Sequence, residues 1–236
     1  MSWRFVPELL DSYIAPGIST FTEANIPDLS GRFPQAKYWL SRYFQNNVWG
    51  GSFPEPMRQY VLGFLRRAHL VHTAYLDARR LTLQYLEGND IHNPSVAKYY
   101  DAIARWEQFA IEASIAMDIW RWMNDEKGDF KKNDGVKKFY EWINDDQGFS
   151  TVKDGPNEYR LHRIANRVKH AGEDIHEARK VKQVGEGIFA GKDTINYTVS
   201  LWLTNAGLHS IEASVTYDEA SKVAVEVAET ADQLLD

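Results

Sequence analysis

Two uninterrupted stretches, each about thirty residues long and separated by one short turn, constrain this chain more than any other feature. The first, "PMRQYVLGFLRRAHLVHTAYLDARRLTLQYL" from Pro56 to Leu86, has no proline after its start. It repeats apolar side chains at three- and four-residue steps: Val61, Phe64, Leu65, Ala68, Val71 and Tyr75. That step gathers them on one side of a helix of 3.6 residues per turn. The turn "EGNDIHNPS" follows, with Asn93 expected as N-cap and Pro94 at the first helical position, where its missing N–H costs nothing. The second stretch runs to about Met123. Tyr99, Ile103, Trp106, Phe109, Ala110, Ala113, Ala116, Met117 and Trp120 form its expected buried side. A short connection between two helices of similar length implies antiparallel packing. The fold class expected is therefore all-α: a helical bundle with two long antiparallel helices, about six helices, and a small β-like excursion before the C-terminal helix.

The remaining segments fit around that pair as one helical domain spanning residues 1–236. Residues 1–55 read as an aromatic-rich N-terminal extension with a short helix at Glu8 to Tyr13. A second helix falls in "FPQAKYWLSRYFQNN", ended by the breakers of "VWGGSFPEP". Residues 56–180 are the bundle core. Within them "NDEKGDFKKNDG" is a polar loop, "VKKFYEWIN" a short helix, and Pro156 opens the helix that carries "RLHRIANRVKHAGEDIHE". Residues 181–216 change to Gly, Thr and Val, and "YTVSLWL" predicts a hairpin. Residues 217–236 form a last helix, opened by a capping-box spacing of Thr216 and Glu219. With eight Trp in the chain, Trp39, Trp106, Trp120 and Trp142 at helical spacing are expected in the core.

Cysteine is absent, which excludes disulfides, thiolate metal sites and cysteine nucleophiles. The start "MSWRFVPELLDSY" lacks a basic region followed by a long apolar run, and no window is apolar enough for a membrane helix. A cytoplasmic protein without membrane contact is the expectation. Net charge is −6, against a general nucleic-acid coat. The charge is uneven: Glu158 to Lys182 holds seven Lys/Arg against four acids, so this segment is +3 and the rest −9. A confined contact with phosphate suits that segment.

On a helix Leu161, Ile164, Val168, Ala171 and Ile175 fall in one apolar stripe. Arg163 and His170 are seven apart and point within about 20° of each other, with Asn166 roughly 40° from both. The three form one cluster aimed away from the core, and Gly172 is placed to fray the helix just beyond it. His162, one turn after Glu158, reads as half of an ordinary helix-surface pair, and Arg160, Arg167 and Lys169 as electrostatic. His69 and His72, set among Leu70, Val71 and Ala74, read as hydrogen-bonded, partly buried histidines. Glu173 and His176 make one Glu-x-x-His step, half of what a di-iron bundle uses. "GEGIFAG" lacks the Lys-Ser/Thr of a phosphate loop, and no Gly-x-Ser-x-Gly elbow is present. No metal and no cofactor are expected.

The stretch "RIANRVKH" resembles the signature of the HEPN superfamily, whose motif is an Arg, four to six residues, then a His. Arg163 with six residues before His170 meets the longest spacing. Asn166 sits where the common "Arg-Asn-x-x-x-His" version has its Asn, whereas Ala165 stands in place of that version's Arg. The resemblance implies two long antiparallel helices with shorter ones beside them, and a homodimer with a composite site. It implies metal-independent RNA cleavage in a defence or toxin–antitoxin setting, with RNA or a nucleotide as partner. His170 would be the general acid/base, Arg163 the phosphate-stabilising cation and Asn166 the orienter. Arg160, Arg167 and Lys169 would add RNA binding. The alternative is a non-catalytic helical interaction module, antitoxin-like or regulatory, with a protein partner. A bundle metalloprotein is a third reading.

Overall fold

A computed structural model describes residues 7–50, 53, 57–90, 94–125, 160–171 and 199–235. The chain runs through α1 (Pro7–Tyr13), α2 (Trp39–Gly50), α3 (Met57–Glu87) and α4 (Val96–Asp125). After α5 (160–171) come three short strands, β1 (Trp202–Leu203), β2 (Gly207–His209) and β3 (Ser214–Thr216), and then α6 (Tyr217–Gln233). The fold is thus mostly helical, with six α-helices among the described residues and a small antiparallel sheet before the last, as the sequence predicts.

The pairing of α3 with α4 follows from their aromatic stripes. Phe64 meets Trp120, Tyr75 meets Phe109 and Trp106, and Tyr85 meets Tyr99, each with ring centroids 5.3–5.7 Å apart. Residue numbers fall on one helix as they rise on the other, which is the antiparallel arrangement. All nine positions predicted for the buried side of α4 are buried. Trp106 also donates its indole N–H to Thr82 Oγ1 at 3.0 Å and packs 5.7 Å from Tyr217, joining α3, α4 and α6. The capping box forms as predicted: Thr216 Oγ1 accepts from Glu219 N and the Glu219 carboxylate accepts from Thr216 N. α6 then lays Ala220, Ala224, Ala228 and Ala231 into the groove, where small side chains let the helices approach closely.

Two helix boundaries differ from expectation. α4 begins at Val96, not Pro94, because the carbonyl of Ser95 accepts the first helical bond, from Tyr99 N at 3.0 Å. Pro94 is buried outside the helix, its own carbonyl turned to Val96 N; Asn93 lies outside the described residues. α2 continues through Val48 and Trp49 to Gly50, three residues beyond the expected stretch. The "VKKFYEWIN" segment, Trp142, Pro156, Gly172 and the "GEGIFAG" loop lie outside the described residues.

The N-terminal segment is a strap bound along the bundle. Tyr75 Oη donates to Pro27 O, Arg79 Nε to Ile26 O, and His69 Nδ1 lies 3.3 Å from Ala36 O, so the strap runs antiparallel to α3. Its other edge is tied to α6. Arg32 pairs with Glu229 at 2.8 Å, while Gln35 and the Trp39 indole both donate to Asp232. His69 is thus hydrogen-bonded as expected, but His72 is not held that way. It is buried edge-on to Phe33 and Trp39, and its Nδ1 has no hydrogen-bond partner. Burial first, then the neighbouring His69, push its pKa below the usual imidazole range, which keeps the neutral ring in place.

The sheet reports on strap and bundle together. β1 and β2 join through Asn205–Ala206, closed by Thr204 N to Gly207 O at 3.0 Å and Gly207 N to Thr204 O at 3.3 Å. At the turn Asn205 Oδ1 accepts from Thr22 N and Glu23 N, and Tyr99 Oη accepts from Leu203 N. Gly207 faces β3 so closely that a Cβ there would sit 2.2 Å from Val215 O and 2.7 Å from Thr216 Cα. Backbone, not a flexible side chain, would have to move. Gly207→Ala is therefore expected to lower stability by about 2 kcal/mol or more, read as a lower urea midpoint with an unchanged slope.

Candidate nucleic-acid interface

α5 is rooted by its apolar stripe. Leu161, Ile164 and Ala165 are fully buried and Val168 packs partly against the core, while Ala171 is half-buried and Ile175 lies outside the described residues. The rest of the described helix is polar. Arg163, Lys169 and His170 are exposed, and Asn166 and Arg167 are half-buried. At 1.5 Å of rise per residue, Arg163 and His170 stand about 10 Å apart along the axis with Asn166 between them.

Arg160 and His162 are engaged with other elements of the fold. The Arg160 guanidinium donates to Ser214 O at 3.0 Å and to the Glu219 carboxylate, fastening the start of α5 to the start of α6. His162 turns toward α4; Glu158, its expected partner, lies outside the described residues. The His162 Nδ1 lies 2.8 Å from Ser114 Oγ, and Ser114 is fully buried on α4. Helical spacing alone places His162 off the apolar stripe; only the position of α4 turns it inward. Ala165, in the place of the resembling version's Arg, faces the core.

The Arg160–Glu219 pair has a pH signature. Burial works to raise the Glu219 carboxyl, but hydrogen bonds from Arg160 and Thr216 and the Arg160 charge outweigh it and hold the pKa below the usual carboxylate value. A carboxyl with a depressed folded pKa contributes stability above its unfolded pKa and loses it as pH falls through the folded one. Arg160 and Glu219 keep 34% and 21% side-chain exposure, so the pair contributes about 1 kcal/mol or less. Arg160→Gln is expected to cost that amount at neutral pH. In urea titrations the gap to wild type should close below about pH 4.

Sequence reasoning missed a polar cluster on the hairpin. Thr204 Oγ1 lies 2.9 Å from His209 Nε2, Trp202 stacks on the imidazole at 6.1 Å and 21°, and burial lowers the His209 pKa. Only strand register, which sets Trp202 opposite His209, brings them together. The same Thr204 hydroxyl accepts from Ala206 N, so it also closes the turn. Among the described residues no group of three His, Asp or Glu is placed to hold a metal; Glu173 and His176 lie outside them. No helix of the described residues is long and apolar enough to cross a membrane. A groove of about 560 Å³, lined by Leu81, Gln84, Glu87, Lys98 and Asp101, opens where α3 turns into α4. Asp101 lies thirteen residues from Ser114 along α4, so it is about 20 Å from where α5 docks.

Fold and site together define a mostly helical protein with two long paired helices and a basic helix set against them. No family model, no curated protein and no solved structure matches the chain.

Proposed function

We propose that the chain is a HEPN-like RNA-binding protein that cleaves single-stranded RNA without a metal ion, acting as a homodimer in a defence or toxin–antitoxin setting. The observation that carries this reading is the outward face of α5: exposed Arg163 and His170 with Asn166 between them, on a helix whose other face is anchored in the core. The chemistry is internal transesterification. A base removes the 2′-OH proton, the 2′-oxygen attacks phosphorus, and the P–O5′ bond breaks as an acid protonates the leaving oxygen. A 2′,3′-cyclic phosphate and a 5′-hydroxyl result. An imidazole serves either proton transfer near neutral pH. The Arg163 guanidinium offers a two-pronged grip on phosphate oxygens that stays charged throughout, and Asn166 is placed to orient either group. Arg167 and Lys169 extend the positive surface. Arg160 contributes long-range charge, since its hydrogen bonds go to Ser214 and Glu219.

The test is cleavage of a labelled single-stranded RNA in EDTA, with the product ends identified by mass. Wild type should leave the cyclic phosphate and His170→Ala should not. Undiminished cleavage by His170→Ala sinks the assignment. A second reading, a non-catalytic interaction module with a protein partner, is favoured by the full burial of Ala165, where the resembling motif carries its Arg. It predicts no cleavage by wild type, and loss of the partner on charge reversal at Arg163 and Arg167.

A further inference from the structure

Two histidines about one turn apart on α3 both meet the strap, and they meet it in different ways. The His69 ring is half-buried, with Nδ1 3.3 Å from Ala36 O. A carbonyl only accepts, so Nδ1 carries the hydrogen, and a second proton at Nε2 leaves that bond in place. His72 is 6% exposed and sets its ring against Phe33 and Trp39, at centroid distances of 5.8 and 6.4 Å. Its Nδ1 is buried without a hydrogen-bond partner. An orphaned nitrogen costs stability that an apolar side chain of similar size would not lose. Packing alone does not account for an imidazole at this position.

Among the described residues no carboxylate bonds to His72 to support its charged form. On α3 its charged neighbour is His69, which opposes a second positive charge, while Arg79 is held by Ile26 O and Asp28. On the strap, Arg32 pairs with Glu229 of α6 and Lys37 lies over the Tyr38 ring. The Asp232 carboxylate of α6 is taken by Gln35 and the Trp39 indole. Burial first, and His69 second, therefore push the His72 pKa down. Freed into water, the same ring takes up a proton near pH 6.5, about the ordinary imidazole value. Neutral burial thus contributes stability above that pH, and the contribution is lost as pH falls from there through the lower folded value.

The loss falls on the strap, because the rings that enclose His72 are those of Phe33 and Trp39. Upstream, Tyr75 and Arg79 hold the carbonyls of Pro27 and Ile26, so the part poised to lift lies beyond them. The bundle has its own ties: α3 stays on α4 through Phe64 with Trp120, Tyr75 with Phe109 and Tyr85 with Tyr99, none of which involves His72.

We propose that the strap is an acid-sensitive latch on α3, in which His69 is the fixed pin and protonation of His72 lifts residues 29–39 while the bundle stays packed. Opening turns Phe33 and Trp39 outward, so the chain in mild acid offers an apolar surface that it hides at neutral pH. The latch is independent of α5 and of what that helix does.

The experiment is hydrogen exchange of the full chain, read by mass on fragments from residues 29–39 and from α4, and corrected for the intrinsic pH dependence of exchange. From about pH 7.5 to about 5.5, wild type is expected to lose protection in residues 29–39 by about threefold to tenfold. Tenfold is roughly the limit for one proton taken up by a group that titrates near 6.5 once exposed. Fragments of α4 should change by less than about twofold over the same range. His72→Gln stays neutral and should show no step. His69→Gln keeps a donor for Ala36 O and removes the neighbouring charge, so the closed state accepts the proton more readily and the step should remain but shrink. Thermal melts at neutral pH check that the variants are folded; if His72→Gln is not, His72→Phe takes its place with the same expectation. A wild-type change below about twofold in residues 29–39 overturns the proposal. So does a step that survives removal of the His72 imidazole. So does loss of protection in α4 together with the strap, which would mark acid unfolding of the whole chain.

Discussion

On the proposed assignment, His170→Ala is expected to lower cleavage of single-stranded RNA by about 10²–10⁴-fold, the range a positioned acid or base contributes. The loss should fall on kcat more than on KM, because Arg163, Arg167 and Lys169 still hold the phosphate chain. Arg163→Lys keeps the charge but loses the paired donors, so a partial loss is expected of it. Stopped-time assays with end-labelled RNA measure both variants. A His170→Ala variant that keeps the wild-type rate removes His170 from the chemistry.

Trp106→Ala is expected to cost about 3–5 kcal/mol of stability, the range for truncating a large buried aromatic. Trp106 is fully buried where α3, α4 and α6 meet, with Tyr75, Phe109 and Tyr217 each 5.6–5.7 Å from its ring. Removing the indole opens a cavity that three helices would have to close at once. For a chain of this length the thermal midpoint should fall by roughly 10 °C. Trp106→Phe separates two contributions. It keeps most of the ring volume and loses only the N–H donated to Thr82 Oγ1, at a cost of about 1 kcal/mol beyond repacking. Calorimetry of both variants measures this. A loss under about 1 kcal/mol for Trp106→Ala would show that the three helices do not depend on this contact.

What could be read from the sequence followed local periodicity. Tyr99 through Trp120 repeat at helical steps, so every predicted inward residue of α4 is buried. Thr216 and Glu219 are three apart, and both hydrogen bonds of their capping box form. On α5 the same arithmetic separated Leu161 and Ile164 from Arg163 and His170. It could not show that His162 would find Ser114, forty-eight residues away on another helix, because periodicity orders residues around one axis and carries no information about the neighbour.

By itself, the sequence determined the helices, their inward stripes, the closing cap and which side of α5 is polar. These depend on bonds and spacings within four residues. The tertiary structure alone decided that residues 21–46 strap the bundle through Pro27, Ala36 and Asp232. It also decided that Arg160 is committed to Glu219 and that Gly207 must lack a side chain beside Val215. Each of these is a contact between distant parts of the chain, fixed only when shape complementarity chooses one packing of the helices.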